Sequence, residues 1–246
     1  ESRSIIFVAE QYYRYPYYQM CNLLLPLLGP ITEVHLARLH DHHGTSLIRH
    51  FLNEKGNDCT ISATCRTSWI VKTEGRDTID TKGVRIQTKR TTACFSFEDE
   101  KTGYYDFADV QYHSSIRSSH FSLRGERGEI FDDTIRYLNV ENEGLRQNLE
   151  RIEDGCMNNN PRSLRTLTFG TDYQFRNPYW PLSFNDDEIA LALCLEDACK
   201  GKGYSLADAL QDSYLAQCME VSCREKRPVQ TKRQVWADEL SAIRGL

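Results

Sequence analysis

Three imidazoles and a carboxylate stand side by side in His40-Asp41-His42-His43, followed by Gly44-Thr45-Ser46-Leu47-Ile48-Arg49. Histidine is the side chain that changes charge nearest neutral pH, so such a group can take or give a proton at an alcohol or carbonyl. Any one of these rings is more simply read as capping a helix or bonding backbone; three together point to a role in chemistry. A second segment, Glu10-Gln11-Tyr12-Tyr13-Arg14-Tyr15-Pro16, supplies donors, acceptors and flat faces of the kind that hold hydroxylated ligands. Its plainer reading is a tyrosine-rich turn. In a third, Gln111 to Ile130, His113 and Arg117 fall at a kink in the strand pattern and face either a ligand or water.

Other chemistries are not supported. His40, His42 and His43 with Asp41 are acceptable zinc or manganese ligands, and a metal-dependent hydrolase or isomerase is the alternative they raise. Adjacent residues rarely converge on one ion, however, and no remote partner motif is evident, so no metal ligand is expected. No G-x-G-x-x-G follows a strand, and neither a G-x-x-x-x-G-K-[ST] loop nor a G-x-S-x-G elbow occurs. With a net charge of −5 over 246 residues, there is no electrostatic reason to expect nucleic acid or an anionic membrane as partner. The longest apolar run, Leu23 to Leu28, is too short to span a bilayer. Nine cysteines without a C-x-x-C pair suggest reduced thiols and a cytoplasmic location.

The elements that must position these residues follow from periodicity. Ser4–Glu10 reads as a buried strand, and Pro16 opens a helix that Gly29-Pro30 stops. Ile31–Leu39 reads as a strand, and His43–Asn53 as a short amphipathic helix. From Cys59 to Leu138 the pattern is β-rich, with strands over Thr60–Lys72, Gly83–Glu98, Gly103–Tyr112, His120–Gly125, Gly128–Asp132 and Thr134–Leu138. Turn residues at Glu74-Gly75, Asp80 to Gly83 and Asp99 to Gly103 separate them. The polar stretch Val140–Gly170, with Asn158-Asn159-Asn160-Pro161, reads as an excursion or loop. Asn185 and Ser205 cap two closing helices. The expected fold is α+β: a large, mainly antiparallel sheet with helices on one face. Phe95, Phe97, Tyr105, Phe107, Val110 and Tyr112 read as lying on both sides of the sheet, which favours an open face that pairs with another subunit.

In this order the segments resemble the C-terminal part of the Gfo/Idh/MocA oxidoreductases, the glucose–fructose oxidoreductase and inositol dehydrogenase relatives. The pieces that carry the likeness are VAEQYYRYP at 8–16, LGPITEVHLARLHDHHGTSLIR at 28–49, YYDFADVQY at 104–112, SLRGERGEIFDD at 122–133, NDDEIALALCLE at 185–196 and YSLADALQDSYLA at 204–216. The resemblance implies a C-terminal substrate-binding and oligomerisation domain over 1–246. Residues 1–30 would be a remnant of the junction with a Rossmann domain, which is absent from this chain, and 225–246 a C-terminal tail. It implies NAD or NADP in the full-length protein, none of it bound tightly by this piece, which alone would be inactive. It further implies a sugar, cyclitol or polyol substrate and a homodimer or homotetramer through the open sheet face.

The family's D-x-x-x-H motif puts its histidine at His43, the expected catalytic residue, but its aspartate at Leu39. The Glu-Lys-Pro tripeptide that carries the family's lysine does not occur. Gln11, Tyr12, Arg14, His40, Asp41, His42, His113 and Arg117 are the expected substrate-binding residues, and no cofactor-binding residue is expected here. A non-catalytic sugar-binding or oligomerisation module is the other reading that Leu39 leaves open.

Overall fold

The computed structural model describes residues 5–73, 82–154 and 163–240. The turns expected at Glu74-Gly75 and from Asp80, and the Asn158–Pro161 loop, lie outside the described residues or begin there. Among the described residues, fourteen strands and four α-helices run in chain order as β1 Phe7–Val8, α1 Pro16–Leu28, β2 Ile31–Ala37, α2 Asp41–Leu52, β3 Cys59–Val71, β4 Arg85–Phe97 and β5 Thr102–Ala108. They continue as β6 His120–Gly125, β7 Gly128–Phe131, β8 Thr134–Leu138, β9 Gly144–Asn148, β10 Glu150–Asp154, β11 Ser163–Phe169 and β12 Tyr173–Arg176. The chain then forms α3 Asp186–Cys199, β13 Tyr204–Ser205, α4 Leu206–Glu225 and β14 Val229–Gln230.

Nine strands make one sheet in the order β14-β3-β4-β5-β2-β6-β7-β8-β9, antiparallel throughout except for the parallel β2–β5 pair. Short connections explain the antiparallel pairs; the parallel one needs a crossover, and α2 with the β3–β4 hairpin supplies it. One cross-strand row runs Ile61, Phe95, Gly103, Val34, Leu123, Ile130, Ile135. It faces α1, α2 and α4, and its side chains are buried. Gly103 is required there: a Cβ at this position would lie 2.3 Å from Ile48 of α2. The fold is thus α+β with a large, mostly antiparallel sheet and helices on one face.

α1 is enclosed on two sides. It lies between the large sheet, at β7 and β8, and a three-stranded sheet ordered β10-β11-β12. Leu24 and Leu28 are buried in that seam, as are Leu164, Leu167 and Phe169 of β11. At the other end of the chain, β14 pairs with β3, and the Thr231 hydroxyl accepts from the Cys59 amide at 2.8 Å.

Several expected elements differ. The opening strand shrinks to Phe7–Val8, paired with Tyr204 and Ser205, and Ile5 and Ile6 are 78% and 58% exposed, so the apolar run is not a buried strand. β5 ends at Ala108, where Asp109 binds the Thr88 hydroxyl and the Lys89 amide and turns the chain; Val110, Tyr112 and His113 are therefore outside the sheet. The described residues of the 140–170 stretch hold β9, β10 and β11 rather than a loop. Two of these are edge strands whose side chains meet water on both sides, so the apolar alternation that announces a strand is missing. Phe95, Phe97, Tyr105 and Phe107 all share the helix-covered face, because their register is even along each strand. The eight described cysteines are free thiols. Among the described residues no helix is long and apolar enough to cross a membrane.

Candidate functional site

The histidine segment begins α2 at the end of β2, as its position in the sequence predicts. Asp41 takes a left-handed conformation (φ 42°), and its amide donates to the Tyr105 hydroxyl at 2.9 Å. The carbonyl of His40 accepts from the amides of His43 and Gly44, which closes the first turn. The hydroxyls of Thr45 and Ser46 bond the carbonyls of His42 and His43 at 2.9 Å each. This first turn is therefore braced from both sides, and the three rings on it are neighbours: centroids are 4.9 Å apart for His40 and His43, and 4.1 Å for His42 and His43.

The group that organises the cluster comes from elsewhere in the chain. Glu10, directly after β1, is 4% exposed and holds His43 Nδ1 against its Oε2 at 2.6 Å. Its other oxygen, Oε1, is buried with no hydrogen-bond partner among the described residues, as is Nδ1 of His40. Burying a carboxylate is costly unless its oxygens are satisfied, so a half-paired Glu10 is an unusual arrangement at which to find two more imidazoles. Partial burial, followed by the adjacent His43, pushes His42 below the ordinary imidazole pKa.

Aromatic rings wall the cluster. Tyr12, in a single 3-10 turn over Tyr12–Arg14, sets its ring 4.7 Å from that of His43 and stacks on Tyr15. Tyr15 donates to Asp187 Oδ1 at 2.6 Å, at the start of α3. Tyr112 meets His40 edge-on at 5.9 Å and accepts from its amide at 3.4 Å. Leu39, at the position of the family's aspartate, is 3% exposed and packs in the core.

The expected residues thus divide into two groups. Tyr12, His40, His42 and His43 come together around Glu10. Gln11 lies beside them but points its amide at Asp187 over 3.5 Å. Asp41 belongs to the same turn with a side chain 71% exposed. Arg14 is engaged elsewhere: it forms an ion pair with Asp197 of α3 and bonds Gln19, and so fastens the 3-10 turn to α3. His113 is exposed in the turn after β5 and touches the cluster only through Tyr112, at 6.2 Å between rings. Arg117 is exposed and bonds the carbonyl of Ile116. Glu10, Tyr15, Tyr112 and Asp187 are not among the residues expected from the sequence. A glutamate closing an apolar run was the one available signal for Glu10.

Set against known proteins, the sequence matches no family model and no curated protein. Solved structures do match its fold. Levoglucosan dehydrogenase in complex with NADH and L-sorbose superposes with a TM-score of 0.57 at 14% identity, over 92% of this chain and 66% of that one. An oxidoreductase from Agrobacterium radiobacter in complex with NAD+, L-tartaric acid and magnesium gives 0.53 at 13% identity, over 92% and 64%. An NAD-binding oxidoreductase from Klebsiella pneumoniae gives 0.56 at 10% identity, over 92% and 66%. The chain spans just under two thirds of the length of these three structures. At such identities the likeness speaks for architecture, and the architecture is the one the sequence resemblance implies: this chain has the fold of a large part of the Gfo/Idh/MocA-type oxidoreductases.

Proposed function

We propose that this chain is the substrate-binding part of an NAD(P)-linked oxidoreductase acting on a hydroxyl of a sugar, cyclitol or related polyol, with His43 as the group that meets the reacting hydroxyl. The observation that carries the reading is the pairing of His43, on the first turn of α2, with the buried carboxylate of Glu10. With Nδ1 committed to Glu10, Nε2 is the nitrogen left to accept a proton from a substrate O–H. The carboxylate then stabilises the imidazolium that forms. Tyr12, His40, His42 and Tyr112 surround this point with donors, acceptors and flat faces suited to the remaining hydroxyls. The levoglucosan and sorbose complexes of fold neighbours support the substrate class.

The residues present do not fit a dinucleotide. The sequence has no glycine-rich turn leading from a strand into a helix, so NAD(P) belongs to a nucleotide-binding unit acting with this one. A second reading, a non-catalytic polyol-binding module, is favoured by the burial of Leu39 where the family pattern has an acid. Titrating NADH and NADPH calorimetrically into this chain, and into the chain extended through its upstream reading frame, separates the two. Binding to the extended form alone, with polyol oxidation lost in His43→Asn, is the expected result. Tight binding to the short chain would overturn the division of labour proposed here, and no binding to either form would leave the non-catalytic module.

A further inference from the structure

We infer that Glu10, His42 and His43 form a binding site for one divalent transition metal of the zinc class. The three residues each offer a ligand atom, and these atoms lie within 4.8 Å of one another. Two ligands of a tetrahedral zinc ion sit about 3.3 Å apart, so side-chain rotation alone brings the set into range. The objection raised by the sequence, that neighbouring histidines lack a remote partner, is removed by Glu10, which reaches them from 33 residues upstream. A second, independent observation points the same way. Glu10 is 4% exposed, yet its Oε1 has no partner, and Arg14, the cation nearest in sequence, is committed to Asp197. A buried carboxylate with one oxygen unsatisfied beside two imidazoles is a donor set suited to a cation.

The donor chemistry selects the class of ion. Two nitrogens and one carboxylate suit zinc, cobalt or manganese, whereas calcium and magnesium prefer all-oxygen sets. Three protein ligands leave at least one position open, so a water or a ligand hydroxyl completes the shell. His40 and Asp41 do not extend the set: Asp41 Oδ2 stands 3.8 Å from His40 Nδ1, and its side chain is largely in solvent. One consequence rests on the oxidoreductase reading: metal and substrate proton compete for the same His43 ring, so zinc inhibits the reaction.

The test is a zinc titration of the metal-stripped chain, followed by calorimetry, with bound metal counted by mass spectrometry. One zinc per chain is expected in the wild type and in His35→Asn, whose ring lies on the far face of the sheet. Affinity should fall at least tenfold in Glu10→Gln and disappear in His42→Asn/His43→Asn. A reading on the wild type alone guards against variants that fail to fold. Zinc should shift the ring resonances of His42 and His43 while those of His35, His113 and His120 stay in place, and cobalt should give the intense visible absorption of a four- or five-coordinate ion. Absence of stoichiometric zinc on the folded wild type, or unchanged affinity in the double variant, would overturn the site. Polyol binding to metal-free protein is measured separately, so failure of the metal site and failure of the oxidoreductase reading leave different traces.

Discussion

His50 lies on α2, with its ring packed against Phe51 at 4.8 Å and Tyr13 at 5.7 Å, and Nε2 3.0 Å from Asn22 Oδ1. Burial, helped by the nearby Arg14 charge, pushes its pKa down to about 4. In the unfolded chain the same ring titrates near 6.5, so between these values the unfolded state binds the extra proton. Stability contributed by neutral His50 is therefore complete above about pH 6.5 and is lost as the pH falls toward 4. The residue keeps partial solvent access, which tempers the loss to about 1–2 kcal/mol at pH 5. Urea denaturation of wild type and His50→Gln at pH 7.5 and pH 5 checks this: the variant should lose most of the pH slope, and an unchanged slope would assign it to other groups. At this scale the sequence was informative about side-chain type and poor about partners. The histidine cluster declares itself by adjacency, whereas Glu10 acts across 33 residues and becomes recognisable only once β1 is placed beside α2. Arg14 is the parallel case, since the Asp197 it pairs with lies 183 residues away and could not be read from the segment itself.

Two contacts hold α2, and with it the histidines, in position. The first is steric. A Cβ on Gly44 would fall 2.5 and 2.8 Å from Cε2 and Cδ2 of the Tyr105 ring, the ring whose hydroxyl receives the Asp41 amide. Gly44→Ala should push the helix start off β5 and cost about 1–3 kcal/mol as overpacking. Because the same turn carries His42 and His43, ligand binding should fall together with the melting temperature. A variant that loses stability but binds normally would show that the turn adjusts independently of the site. The second contact is electrostatic. Arg49 is 2% exposed and meets Asp212 at 2.6 Å, Asp208 at 3.2 Å and the Lys55 carbonyl at 2.8 Å, joining α2 to α4. Burial raises Asp212 to about 6 while Arg49 pulls it down. Arg49→Met strands two buried carboxylates and should cost about 3–5 kcal/mol at pH 7.5. With Asp212 freed to rise further, its protonated form is favoured on folding, so the deficit should shrink at pH 5; an equal deficit at both values in urea titrations would count against this account. The helices and central strands were legible because one face of each is buried and its period survives in the sequence. β9 and β10 were not, since edge strands keep polar residues on both sides.

At the scale of the whole molecule, the uncovered face of the large sheet is ionic rather than apolar. One row crosses it as Thr102, Glu33, Arg124, Glu129, Arg136, Arg146, each opposite the next. Charges alternate along the first ion pairs, with Arg124 3.3 Å from Glu33 and 3.4 Å from Glu129, and Arg136 3.0 Å from Glu129. The alternation then breaks, because Arg136 stands opposite Arg146, and like charges facing each other across a strand pair are unfavourable. Phe131, Tyr104 and Leu138 are the exposed apolar residues interspersed here, 47%, 38% and 37% accessible. Phe95, Phe97, Tyr105 and Phe107, which suggested an apolar pairing surface, instead pack on the helix-covered side and Tyr112 lies outside the sheet, so pairing of two copies through this face would depend on charge. We therefore predict a self-association that weakens as salt rises, measured by sedimentation velocity at low and high ionic strength. Arg146→Glu separates the two roles of the row. It removes the like-charge opposition and should raise the monomer's melting temperature slightly, while altering the salt dependence of any dimer. Association that is indifferent to both salt and this substitution would place the contact on another surface.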